Sequence, residues 1–127
     1  MEYVPCYRET KMHDQRKLSK NEIAVIKGSS TYFFSAFISI DIRAVDGVDS
    51  GCLTANRVVV LPGLHKVTVN YILTSYPVSV SAGVDLVFTV EEGHEYKVEK
   101  KDSNLVVVDT HSSVVVVSHP LNKLIAL

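Results

Sequence analysis

Apolar and polar residues alternate with a period of two through most of the chain, and the stretch 58–69, Val-Val-Val-Leu-Pro-Gly-Leu-His-Lys-Val-Thr-Val, shows the pattern most plainly. Val and Thr suit pleated strands, proline presets the first central position of a turn, and glycine accepts the positive φ that follows. The stretch therefore predicts a β-hairpin turning at Pro62-Gly63. Strands are expected over 23–26, 37–45, 58–61 and 66–73. In the second, Ile38, Ile40, Ile42 and Ala44 alternate with Ser39, Asp41 and Arg43; in the fourth, Val67, Val69, Tyr71 and Leu73 face inward against Lys66, Thr68 and Asn70. Val84, Leu86, Phe88 and Val90 share one face of a further strand, which Glu91-Glu92-Gly93 joins to a partner over 94–99 as a second hairpin. Valine-rich runs over 105–108 and 114–117 flank a polar turn, Asp109-Thr110-His111-Ser112-Ser113.

Strands at such short intervals predict an all-β fold, a single-domain β-sandwich of about seven strands. Residues 1–20 are polar, charged and aperiodic, and are expected to form a flexible tail ahead of a domain over 21–127. Helix has room only over 121–127, after the break at Pro120. Four of those seven residues are Leu or Ile, so the segment is expected to dock on its own sandwich or on a second copy, the latter giving a homodimer.

Composition narrows the function classes. A chain of 127 residues sustains one hydrophobic core, whereas two domains would each be marginal. The net charge of −1, with 13 dispersed Lys and Arg, lacks the footprint of a nucleic-acid binder. No apolar run approaches the ~18 residues that cross a bilayer, and the first twenty residues are too charged for a secretory signal, so the chain is expected to be soluble. Cys6 and Cys52 have no zinc-knuckle spacing and read as two free thiols, a single bond between them staying open.

The segments Ala44-Val45-Asp46-Gly47, Val60-Leu61-Pro62-Gly63-Leu64-His65-Lys66-Val67-Thr68-Val69 and Phe88-Thr89-Val90-Glu91-Glu92-Gly93-His94-Glu95-Tyr96-Lys97-Val98 follow one another in a familiar order. Their spacing resembles small bacterial envelope lipoproteins of uncharacterised function, similar to PEGA-type and carboxypeptidase-regulatory-like modules. The shared pattern is a strand ending in Asp-Gly, a Pro-Gly-x-His hairpin and a Gly-His-x-Tyr hairpin, carried here by Asp46, Gly47, Pro62, Gly63, His65, Gly93, His94 and Tyr96 across roughly 22–100. The resemblance implies a prealbumin-like sandwich, non-catalytic, tethered to the envelope through a lipidated N-terminal cysteine. Cys6 is the candidate for that cysteine, yet Tyr3-Val4-Pro5 before it lacks the apolar stretch and small residue of a lipidation signal. The expected location is therefore the cell envelope or periplasm if a signal segment has been removed, and the cytoplasm otherwise.

Candidate chemistry is sparse. His65 and His94 each follow a glycine-bearing turn, which invites a metal; zinc wants three or four protein ligands, and no third stands at a recognisable spacing, so both read as structural. Asp41, Asp46, Asp49, Asp85, Glu91, Glu92 and Glu95 read as turn or solvated residues rather than as a calcium site or a catalytic pair. Ser29-Ser30 and Ser112-Ser113 lack the glycine elbow of a serine hydrolase. Tyr32, Phe33 and Phe34, with Phe37, read first as core anchors and second as a loop presenting rings to a sugar or a partner. The expected function is a non-enzymatic binding or scaffolding module without cofactor or metal, engaging a protein or envelope partner. A small-ligand or carbohydrate-binding module using Tyr32, Phe33 and Phe34 is the alternative.

Overall fold

The computed structural model describes residues 10–11, 22–33, 35–49 and 57–121. It is all-β, with two facing sheets. Nine strands have four or more residues: β2 (Ala24–Lys27), β3 (Ser29–Phe33), β4 (Ala36–Val45), β6 (Arg57–Val60), β7 (Gly63–Ser75), β8 (Val78–Val90), β9 (Glu95–Lys101), β10 (Asn104–Asp109) and β11 (Val114–Pro120). Two-residue strands β1 (Thr10–Lys11) and β5 (Val48–Asp49) lie at the margins. The first sheet runs β1-β6-β2-β9-β10-β11; the second runs β3-β4-β7-β8, with β5 also paired to β4.

Nine strands replace the seven expected. The main addition is β3, absent from the expected strands because Ser29-Ser30-Thr31 carries no apolar alternation. It pairs antiparallel with β4, setting Tyr32 opposite Phe37.

Both expected hairpins are corners between sheets. β6 pairs with β2, whereas β7 pairs with β4 and β8, so Leu61-Pro62 carries the chain across the sandwich. Gly63 has φ +131°, a backbone region costly for residues bearing a Cβ, and already pairs with Val90 as the first residue of β7. Likewise β8 belongs to the second sheet and β9 to the first, so Glu91-Glu92-Gly93 is a second corner. The physical reason is that flanking strands bury the same alternating positions whether they lie side by side or stack across the core. Authentic tight turns lie elsewhere. Asp46-Gly47, with φ of 53° and 79°, makes a type I′ turn between β4 and β5.

The alternation places the core where it was expected on β7 and β8: Val67, Val69, Tyr71, Leu73, Val84, Leu86, Phe88 and Val90 are buried. On β4 it changes phase. A bulge between Ile42 and Ala44 leaves Arg43 without a partner residue on β7, so Val45 rather than Ala44 enters the core. Opposite them, Ala24, Ile26, Val58, Val60, Tyr96, Val98, Leu105 and Val107 complete the interior. Leu121 also joins the core, and its N–H donates to the Ser103 carbonyl at 2.9 Å. Residues 122–127 and 1–9 lie outside the described residues.

A third corner joins β2 to β3 at Gly28. A Cβ there would collide with the Ile40 carbonyl oxygen and stand 2.9 Å from its carbon and 3.3 Å from the Asp41 Cα, so backbone presses on backbone. We expect Gly28→Ala to lower stability by about 1–3 kcal/mol, the scale of an overpacked site. Gly83→Ala, in open space, is the control and should change little. Urea denaturation measures both, and equal midpoints would contradict the account of this corner.

Candidate functional site

Strand register sorts the polar groups to two ends of the sandwich. β4 runs from Ala36 at one end to Val45 at the other, and the antiparallel β7 brings Lys66 and Val67 to that second end. Gly63 pairs with Val90 there. The Asp46-Gly47 turn and both glycine-bearing corners thus share one end, the start of β4 lies at the other, and Gly28 faces Ile40 and Asp41 midway along β4.

At the end shared by Val45 and Gly63, His65 is 12% exposed and tied on both sides. Its Nε2 lies 2.6 Å from the Leu61 carbonyl oxygen and its Nδ1 2.6 Å from Asp46 Oδ2. Both ring nitrogens thus face oxygen acceptors, and the ring is held from two sides. Asp46 Oδ1 also accepts the Lys66 N–H at 2.8 Å, and the Asp46 N–H donates to the Lys66 carbonyl at 2.7 Å. Burial raises the Asp46 carboxyl, but the Lys66 N–H and the His65 ring outweigh it and hold the pKa below the ordinary carboxylate value.

His94 belongs to a separate cluster. Its Nδ1 lies 2.7 Å from Asp109 Oδ2 and 3.4 Å from a Glu91 carboxylate oxygen. Asp109 is buried, and its Oδ1 accepts the His111 N–H at 2.9 Å. The His111 ring packs against that of His94, with centroids 4.8 Å apart. The hydrogen bond to Asp109 raises the His94 pKa, burial opposes it, and the charges of Asp109 and Glu91 add to the rise. Burial pushes Asp109 up, yet the His94 hydrogen bond, the His111 N–H and the nearby imidazoles bring it below the usual value. Tyr96 is buried beneath, where its hydroxyl accepts the Glu91 N–H at 2.8 Å; burial raises its pKa. Of the motif residues, His94 meets two carboxylates, Glu91, expected as a solvated hairpin residue, and Asp109, expected only as part of a polar turn. Asp109 gave no local signal because it stands 15 residues from His94.

At the opposite end a cleft of about 530 Å³ is lined by Lys27, Gly28, Ser30, Ser39, Asp41 and Arg57, among others, with Phe37 at its side. Asp41 accepts a hydrogen bond from Ser39 Oγ at 3.0 Å; burial raises its pKa, and that bond offsets part of the rise. Glu95 meets Lys27 at 3.1 Å and Arg57 at 3.7 Å. Tyr32 is 80% exposed and packs on Phe37 with centroids 4.8 Å apart. It is no core anchor, because it sits on the outer face of β3. Phe33 contributes its backbone to β3, and Phe34, Cys6 and Cys52 lie outside the described residues.

Comparison with protein-family models, curated proteins and solved structures returns no match for this chain.

The Asp46 carboxyl, lowered in the folded state, contributes stability that is fully present above the ordinary Asp value of about 3.9 and is lost as pH falls through the folded value. Asp46→Asn removes that contribution. Its stability deficit against the parent is therefore expected to be largest near neutrality and to shrink below about pH 4, as followed by urea denaturation across pH. A deficit that grows on acidification would contradict the assignment.

Proposed function

We propose that this chain is a non-enzymatic binding or scaffolding module that receives a strand of a partner protein along β11. The supporting observation is the edge itself. β11 ends its sheet, Val114, Val115 and Val116 are 54%, 41% and 39% exposed, and no residue from Val114 to Pro120 carries a formal charge. Exposed edges are ordinarily blunted by charged side chains; an uncharged valine edge offers its backbone groups and a dry surface to an added strand. β8, which ends the second sheet at the side away from β3, differs in carrying Asp85 mid-strand, bonded to Thr68 Oγ1 at 2.6 Å. The prealbumin-like topology and the placement at a bacterial envelope, by tether or in the periplasm, belong to the same reading through the PEGA-type resemblance.

A photo-crosslinking residue at Val115 is expected to give one discrete adduct with an envelope protein, lost when Val116→Lys places a charge on the edge. An adduct of twice the chain's mass would instead make the partner a second copy. No discrete adduct would contradict the reading.

The exposed Tyr32 ring favours a second reading, a carbohydrate or other small polar ligand in the cleft. An aromatic face beside Ser30, Ser39, Asp41 and Arg57 offers stacking together with hydrogen-bonding groups. In that case an oligosaccharide found by array binding loses its affinity in Tyr32→Ala, while Val116→Lys leaves it intact. Binding unaffected by Tyr32→Ala would remove the cleft from consideration.

A further inference from the structure

From the convergence of Glu91, His94 and Asp109 we infer that this end of the sandwich is a zinc site. One donor atom from each residue falls within 4.8 Å of the others. Around a tetrahedral zinc with bonds of about 2.0–2.1 Å, ligand atoms lie about 3.3–3.4 Å apart. The 3.4 Å between His94 Nδ1 and the Glu91 oxygen already matches that spacing, and the Asp109 oxygen at 2.7 Å needs only a side-chain adjustment.

The donor chemistry points the same way. Two carboxylates approach a single imidazole nitrogen, and one N–H satisfies one of them. A divalent cation in place of that proton serves all three groups and balances both negative charges. An imidazole nitrogen among the donors favours zinc over calcium or magnesium, which take oxygen ligands. Three protein donors leave a fourth position for water, with His111 alongside.

The scaffold is held by the sheets. The Gly93 N–H donates to the Ile23 carbonyl at 2.7 Å, and the Val25 N–H to the His94 carbonyl at 3.1 Å, fixing the corner to β2. On the Asp109 side, the Thr110 N–H donates to the Glu95 carbonyl at 2.9 Å and the Ser113 N–H to the Asp109 carbonyl at 2.7 Å. The backbones bearing the ligands are thus bonded to the sheet without metal, and zinc needs only side-chain motion.

Calorimetric titration of the full chain with zinc in reducing buffer, with melting curves beside it, tests the site. One zinc per chain and a raised Tm are expected. Glu91→Gln should weaken zinc binding about ten-fold or more while leaving the metal-free Tm unchanged, because Glu91 is exposed. His94→Gln should abolish binding, and Glu92→Gln, one residue outside the cluster, should bind as the parent does. No zinc binding by the parent, or binding undiminished in Glu91→Gln, would overturn the site; the second outcome would put the metal elsewhere in the chain.

Discussion

A sandwich chain has to leave one sheet and enter the other without stranding the backbone groups it takes off the ladders. The three described corners meet this constraint by different means. At Gly28 the chain turns by pressing against the Ile40 carbonyl, which only a residue without Cβ allows. At Leu61-Pro62 the carbonyl released by β6 is taken up by the His65 ring, which Asp46 holds from its other side. Beyond β8, the Glu91 N–H finds the Tyr96 hydroxyl and the Gly93 N–H finds the Ile23 carbonyl.

These solutions concentrate chemistry at the ends of the sandwich. Histidine suits a corner because its two ring nitrogens reach a backbone group and a carboxylate at once. His65 uses both in that way, which leaves it no nitrogen for other work. His94 directs Nδ1 to carboxylates alone, while the corner around it is secured by backbone bonds and Tyr96. The two histidines look alike in sequence and differ in what their surroundings leave them to do. The cleft beside Gly28 has a related origin, since the close approach of β2 to β4 brings Lys27 and Arg57 near Ser39 and Asp41.

Much of the strand pattern was legible in the sequence, because alternation reports which side chains are buried. Val67 to Leu73 and Val84 to Val90 lie on the faces their periodicity predicts. Pairing was not legible. A Pro-Gly or Glu-Glu-Gly break between two amphipathic strands reads as a hairpin, and whether the second strand lies beside the first or across the core depends on competition with distant strands such as β2 and β8. The Arg43 bulge escaped for a similar reason, since it is an offset between partners rather than a property of one strand. Tyr32 was read toward the core on hydrophobicity, although its register opposite Phe37 turns it outward. Of the histidine clusters, turn residues Asp46 and Gly93 were visible as punctuation, and Asp109 was not, because β10 brings it to His94 only after the sheet forms.

The claim on which the rest stands is that the glycine-bearing turns cross between sheets. Nuclear Overhauser contacts between backbone protons test it most directly. The account predicts ladder contacts from β6 to β2, between Val60 and Ala24 and between Val58 and Ile26, together with contacts from Gly63 to Val90. It also predicts parallel contacts between Ile26 and Tyr96. A continuous antiparallel ladder joining residues 58–60 to 64–66 would contradict it.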